Sequence, residues 1–392
     1  MKYSKNLFTI TSVVTLLIAT SCFSPRKKKE ETKEEEASFK VISTFAKTSK
    51  LSGMTDNGLC ISDDGRLFAV INEGDSYLWT ALPNGDDAKS MLLHGSVSYP
   101  GGITMNMGNG LTKAKEKFYG VTEKGGDNGG GTIYCIESKT QAVEIEYEFS
   151  GKENIKPISL PVFDGDSSLI GLSANEKKQK LFWYVYNIYS KKITKKIECT
   201  GDWFTFGYVP NGCIQMGPDK CIYITDVFAS GKPGTILRVD QNLEKTTLLY
   251  EMDSKIAGEP DGDLVFLNGK IYGLASGGVA TDDGLIYSIN IDGTSFEVLA
   301  TFNRDNGHLP TSLFKASDGI LYGTCYGGGV NDRGCFFKFE VKDKKLSVLK
   351  DFKDSEGSYP NGRIVEGKDG FLYGFLRHGG KGEKGVVYCI KP

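Results

Sequence analysis

Few side chains in this 392-residue sequence are suited to acid–base chemistry. His94, His308 and His378 are its only histidines, and imidazole is the group that gives and takes protons near neutrality. His308 and His378, with Tyr326 or Arg377, could supply a base and a positive charge to act on a carboxylated sugar. Tyr99, Trp203, Phe204, Phe206, Tyr208 and Tyr359 add flat apolar area. Beside Arg333, Arg377 and asparagine donors, such rings suit a sugar or peptide ligand. Asp127-Asn128, Asp282-Asp283 and Asn331-Asp332 offer the hard oxygens that calcium takes, although Asp and Asn are also ordinary turn residues. No Gly-x-Ser-x-Gly, Cys-x-x-Cys, nucleophilic Cys/His pair or zinc-ligand spacing accompanies them, and no metal is assigned.

What positions these groups is a repeat. Residues 309–352 hold four short apolar or alternating runs, at 312–315, 320–325, 334–341 and 346–352, separated by Gly, Asp and Asn. Runs of this kind and length are strands, and Asp318-Gly319 between the first two marks a tight hairpin. The aromatic of the second strand returns as Phe68, Tyr119, Tyr223, Tyr272, Tyr322 and Tyr373, at gaps of 51, 104, 49, 50 and 51. The gap of 104 covers two periods, and runs at 158–163, 168–172, 180–188 and 192–198 supply the divergent unit inside it. Pro210, Pro260, Pro310 and Pro360 keep the same 50-residue rhythm, with Pro100 in the same role earlier. That makes seven units.

The last unit lacks its fourth strand. Residues 39–45, Phe-Lys-Val-Ile-Ser-Thr-Phe, match 346–352, Leu-Ser-Val-Leu-Lys-Asp-Phe. An N-terminal strand completing the C-terminal sheet closes a ring and hides its last open edge. The expectation is an all-β, seven-bladed β-propeller of four-stranded blades over residues 39–392, the N-terminal strand closing the last blade.

In such a ring the loops from second to third strands share a face with the connections between blades. The first set is Gly-rich and brings Tyr326, Arg333, Arg377 and His378. The second brings Tyr99, Trp203, Phe206, Tyr208, His308 and Tyr359. These ten form the expected ligand face, with His308 and His378 as the only catalytic candidates. Many of the aromatics equally suit wedging between blades. The loop glycines supply positive φ and close packing, and no loop leads into a helix N-terminus that could cradle phosphate.

Residues 1–22 read as a targeting segment. Lys2 and Lys5 precede an apolar stretch, 7–19, too short to span a bilayer. Ala19-Thr20-Ser21-Cys22 resembles a bacterial lipobox, which implies a lipoprotein with Cys22 lipidated; an ordinary secretory signal with a chance cysteine is the alternative. Residues 23–38 mix Lys and Glu without apolar periodicity and read as a disordered tether of at most roughly 50 Å. Phe23 stands where an inner-membrane retention aspartate would be, so the resemblance implies the outer membrane of a Gram-negative bacterium. The Lys/Glu run resembles a surface-export signal as much as a plain spacer.

A formal net charge of −2 gives no basic footprint, so nucleic acid is not an expected partner. Eight cysteines lie in the body. Cys213/Cys221 and Cys325/Cys335 flank hairpins and are candidate cross-strand disulfides, while Cys135 and Cys389 share one repeat offset and read as small buried residues.

The phrase Asp-Gly-x-Leu-Tyr-Gly-Thr-x-Tyr-Gly-Gly-Gly, then Gly-x-x-Phe-Lys-Phe and Val-Leu-x-x-Phe, resembles the GloVer-type tandem repeat of exported and surface-anchored bacterial proteins. Leu321-Tyr322-Gly323 with Gly327-Gly328-Gly329 carries it most fully. Phe118-Tyr119-Gly120, Ile271-Tyr272-Gly273 and Leu372-Tyr373-Gly374 repeat it, unit three departs from it, and unit one lacks the Tyr-Gly. The resemblance implies a propeller without shared catalytic residues. His308, His378 and their neighbours also resemble the His/Tyr/Arg groups of propeller polysaccharide lyases. The expected function is therefore a lipid-anchored envelope module that binds a glycan or an envelope protein. A glycan-active lyase or hydrolase on the same face, and a structural subunit of an outer-membrane complex, are the alternatives.

Overall fold

The computed structural model describes residues 37–44, 58–73, 75–92, 110–123, 125–151, 155–200, 213–226, 234–253, 255, 258–276, 283–380 and 385–392. Seven antiparallel sheets follow one another along the chain. Blade 1 contains Cys60–Ile61, Leu67–Glu73, Asp75–Ala81 and Lys89–Leu92. Blade 2 contains Thr112–Ala114, Lys117–Thr122, Gly129–Glu137 and Val143–Ser150. Blade 3 pairs both Ile155–Pro157 and Val162–Phe163 with Ser168–Asn175, then adds Lys180–Asn187 and Lys192–Glu198. Blade 4 contains Ile214–Met216, Ile222–Asp226, Thr235–Val239 and Thr246–Glu251. Blade 5 contains Glu259–Leu267, Lys270–Ser276, Leu285–Asn290 and Glu297–Thr301. Blade 6 contains His308–Lys315, Leu321–Gly327, Cys335–Glu340 and Lys345–Asp351. Blade 7 contains Ser358–Glu366, Leu372–His378 and Val386–Lys391, and its outer strand is Ser38–Thr44. The fold is a seven-bladed β-propeller closed by its N-terminal strand.

The Asp-Gly-x-x-Tyr phrase works as a unit. Asp318 accepts the Ile320 amide at 2.8 Å and the Tyr322 hydroxyl at 2.9 Å, tying the turn to the strand it starts. Asp369 does the same for Phe371 and Tyr373, and Asp219 for Cys221 and Tyr223. Blade 4 has Lys220 where the others have glycine, at φ 62°. Blade 5 uses Asn268-Gly269, both at positive φ, the two-residue hairpin geometry that matches strand twist.

The glycine after that tyrosine has a different cause from the loop glycines. Gly120, Gly171, Gly273, Gly323 and Gly374 lie directly opposite Tyr134, Tyr184, Tyr287, Phe337 and Tyr388 on the third strand. A Cβ at any of them would come within 2.3–2.5 Å of that side chain. Five of the seven blades thus fold one aromatic across a glycine, blade 3 included despite its divergent sequence, while blades 1 and 4 place Ala69 and Ile224 there.

No single core exists. Seven hydrophobic clusters occupy the junctions between successive blades. Trp79 of blade 1 meets Phe375 of blade 7 edge-on with centroids 6.3 Å apart, so the last junction is filled like the rest. The inner strand of blade 6 begins four residues before the expected 312, at His308, and takes in Pro310. A register shift between Pro310 and Ser312 accommodates the proline, which has no N–H for a regular ladder. In blade 3 the inner strand is broken around Pro161, and the Ser159 hydroxyl accepts the Leu172 amide at 2.9 Å across the gap.

Candidate functional site

Two polar regions stand out, one on the loop face of blades 5 to 7 and one in the central channel. Gly329 donates its amide to Arg304 O at 2.8 Å, which joins a Gly-rich loop to an inter-blade connection. Both loop sets therefore do share one face.

On that face Tyr326 and Tyr359 pack with ring centroids 5.0 Å apart. His378 meets the Tyr359 edge at 5.4 Å, and the Arg333 guanidinium lies 5.5 Å from the Tyr359 centroid. Arg333 is held there by Asp354 at 2.7 Å; this pairing keeps the Asp354 carboxyl below its ordinary range. Four expected residues are thus one contiguous group. Tyr359 sits at φ 60° immediately before Pro360, and Leu309, one repeat earlier and also before a proline, sits at φ 52°. Non-glycine residues adopt this left-handed conformation at a cost, and residues before proline favour extended backbone. The bend carries Tyr359 into the cluster, and Leu309 stays 36% exposed. Val330, on the same Gly-rich loop as Arg333, is 83% exposed.

His308 is placed differently. Its Nδ1 lies 2.7 Å from Asp283 Oδ1, and Arg304 approaches the same oxygen at 3.3 Å. Asp283 is buried. His308 and His378 thus have different partners, Asp283 for the first and Tyr359 for the second. Arg377 is half-buried at the end of its strand. Cys22, His94, Tyr99, Trp203, Phe204, Phe206 and Tyr208 lie outside the described residues.

The central channel has a volume of about 930 Å³, and its polar lining was not foreseen from sequence. It is lined by the inner strands and contains Arg363, Asp263, Asp261, Gln215, Cys60 and Cys213. Arg363 Nε bonds Asp263 Oδ1 at 2.7 Å, with its side chain 44% exposed to the channel. Burial, with the Asp263 charge adding to it, pushes the Asp261 carboxyl up. Burial also raises the Cys60 thiol to about 11 and the Cys213 thiol to about 12, so both are protonated at neutral pH. The fourth position of Pro260-Asp261-Gly262-Asp263 and Pro360-Asn361-Gly362-Arg363 carries the paired charges, a signal readable in the sequence once the repeat is aligned.

Among the described residues, Cys135, Glu144 and Glu146 bring metal-capable atoms within 4.8 Å of one another. Glu146 is already satisfied: Tyr186 donates to it at 2.8 Å, and the Lys117 and Lys191 ammonium groups lie at 3.3 and 3.1 Å. Burial raises the Cys135 thiol to about 12. A protonated thiol and a carboxylate engaged by two ammonium groups do not fit a divalent cation. Two of the loop carboxylates read for calcium are engaged as well. Asp283 serves His308 and Arg304 and Asp332 accepts the Gly328 amide, while Asn128 donates its side-chain nitrogen to Glu148; Asp282 lies outside the described residues.

The expected disulfides divide. Cys213 faces Thr225, whose hydroxyl accepts its amide at 2.7 Å, so Cys213 and Cys221 are not cross-strand neighbours. Cys325 and Cys335 are direct partners, present here as thiols.

Fold and sites together define a β-propeller. Residues 209–392, just under half of the chain, match the family model of the Gloeobacter/Verrucomicrobia repeat, so blades 4 to 7 carry that repeat. No curated protein matches the sequence. Among solved structures, the oligogalacturonate lyase of Vibrio parahaemolyticus aligns with a TM-score of 0.54 at 12% identity, over 91% of this chain and 97% of that one. An oligogalacturonate lyase in complex with manganese aligns at 0.57 and 11% identity, over 91% and 96%. The β-propeller domain of the Trilobed protease of Pyrococcus furiosus aligns at 0.52 and 9% identity, over 88% and 94%. That propeller is described as having an open velcro topology, whereas this one is closed by Ser38–Thr44. At these identities the likeness is one of fold.

Proposed function

We propose that this propeller is a ligand-binding module of the bacterial cell envelope, anchored through a lipid on Cys22, and that its ligand is a glycan held on the loop face of blades 6 and 7. The carrying observation is the Tyr326–Tyr359–His378 cluster with Arg333 beside it. Aromatic faces flanked by a fixed guanidinium match the alternating C–H and hydroxyl surfaces of a sugar. Tyr359 holds a left-handed conformation to complete the group, and backbone strain of this kind concentrates at ligand sites. The Lys-flanked apolar stretch before Cys22 supports export and anchoring.

A glycan array probed with residues 37–392, followed by product analysis of every binder, tests the reading. Binding without turnover, lost in Tyr359→Ala, supports it. Silence across the array would turn the search to a protein partner.

The His308–Asp283 contact favours a second reading. A buried carboxylate on one imidazole nitrogen orients the ring and leaves the other nitrogen to take a proton, as a lyase acting on a uronate requires. Unsaturated products that vanish in His308→Ala would favour it.

A further inference from the structure

Neither reading of the face uses Cys325 and Cys335. Cys325 lies near the end of the second strand of blade 6, Cys335 opens the third, and the two stand directly opposite each other. Opposed residues of an antiparallel pair have Cα atoms about 4.5–5.5 Å apart, within the roughly 4.4–6.8 Å that a disulfide spans. Their thiols are in contact, and both residues are wholly buried. Cys335 donates its thiol to Asn306 O at 3.3 Å, and a Cβ on Gly307 would fall 2.5 Å from Cys325 Sγ. The sulfur pair therefore lies beneath both loops of the face. Tyr326 and Arg333 lie between the two cysteines in sequence, and Asn306-Gly307 lead straight into His308.

Three of the remaining body cysteines have other partners. Cys60 bonds Leu111 O, Cys135 bonds Glu146, and Cys213 faces Thr225.

We propose that Cys325 and Cys335 are a redox site that closes to a disulfide, stapling the base of the loop from Tyr326 to Gly334. The oxidant is a disulfide of the glutathione class. One cysteine thiolate attacks a sulfur of RSSR, the S–S bond breaks, and RS⁻ leaves as a mixed disulfide forms. The second cysteine then attacks the protein-bound sulfur and expels the other RS⁻. Two Cys-SH and one RSSR thus give one cystine and two RSH, with two electrons passing to the small molecule. Burial holds the Cys325 thiol well above its ordinary range, so exchange takes place during folding or loop opening, and either redox form persists once the blade is packed. The effect on how Tyr326 and Arg333 are presented rests on the ligand-binding reading; the disulfide does not.

The full chain is unfolded and refolded in two arms, one with a glutathione redox pair and one with excess dithiothreitol. Each arm is alkylated in denaturant without reduction, digested and analysed by mass. The oxidised arm should yield a cross-linked peptide joining Cys325 to Cys335. Amide exchange over residues 326–334 should be about tenfold slower in that arm. Alkylation of both cysteines there, or linkage of either to another cysteine, overturns the proposal, and unchanged exchange overturns the staple. The double variant Cys325→Ala/Cys335→Ala should show no difference between arms, and a persisting difference would also count against the proposal. A linked pair with slowed exchange but no glycan bound would remove the ligand reading and leave the redox site standing.

Discussion

Arg363 of blade 7 meets Asp263 of blade 5 at 2.7 Å, passing in front of blade 6. Leu313, the residue of blade 6 at the same repeat offset, turns into the core instead. The pair thus ties two blades that are not neighbours, through a channel that keeps part of both side chains wet. Breaking it falls between the small cost of a surface pair and the several kcal/mol of a dry one. Arg363→Met should cost about 1–2 kcal/mol, read as a lower urea midpoint. Asp263→Asn in the same background should add little, because the charge it removes is then unpaired; independent losses would show that the two do not interact.

The glycine opposite each aromatic predicts a steric cycle. Gly273→Ala puts a methyl group 2.3 Å from the Tyr287 hydroxyl and 2.4 Å from its ring, at a cost of about 2–3 kcal/mol. Tyr287→Val should recover part of that loss, and equilibrium unfolding of the four proteins in the cycle measures the coupling.

Glu146 predicts an acid limb. Burial alone would raise its carboxyl, but hydrogen bonds from Tyr186, Lys191 and Cys135 and the Lys117 charge outweigh that and hold it below the ordinary range. A group depressed on folding contributes stability that is complete above its unfolded value, about 4.3, and is lost as pH falls through the folded value. The midpoint of wild-type unfolding should therefore drop on acidification below about pH 4.3 more steeply than that of Glu146→Gln. At neutral pH the variant should be less stable by about 1–3 kcal/mol.

Tyr359 separates stability from recognition. Tyr359→Gly relaxes a left-handed residue and should offset the lost ring contacts by about 1 kcal/mol, leaving Tm within a few degrees of wild type. Glycan binding should nonetheless vanish. Retained binding in this variant would show that the ring is not part of the site.

Removing the closing strand tests the ring. Deleting residues 37–44 exposes the edge of Val386–Lys391, which pairs with Ser38–Thr44. A fall in Tm of at least about 10 °C with aggregation is expected, by calorimetry and light scattering.

The architecture was legible because a closed ring of equal blades imposes one period, and the tyrosines, prolines and turn aspartates keep it. Even in divergent blade 3, expected runs at 168–172 and 192–198 fall on strands Ser168–Asn175 and Lys192–Glu198. The first strands were less legible, since Pro310 and Pro161 disguise residues that nonetheless pair. What lies opposite what could not be read: Gly273 and Tyr287 are recognisable as partners only once register is known. Arg363 and Asp263 are separated by two full repeats, and the curvature of the ring alone brings them together. On the loop face, Tyr326, Arg333, Tyr359 and His378 were reachable because loop order around a propeller follows chain order. The Asp283 contact that occupies His308 depends on side-chain direction, which spacing does not encode.

The pairing of the closing strand also decides at which end of the sheet the chain enters blade 7. Thr44 lies opposite Val386, just after the Gly-rich loop that ends at Gly385, while Ser38 lies opposite Lys391 at the far end of the strand. The polypeptide therefore enters the ring from the side away from Tyr326 and Tyr359. Ser38 and the loop-face tyrosines thus stand at opposite ends of the blade strands.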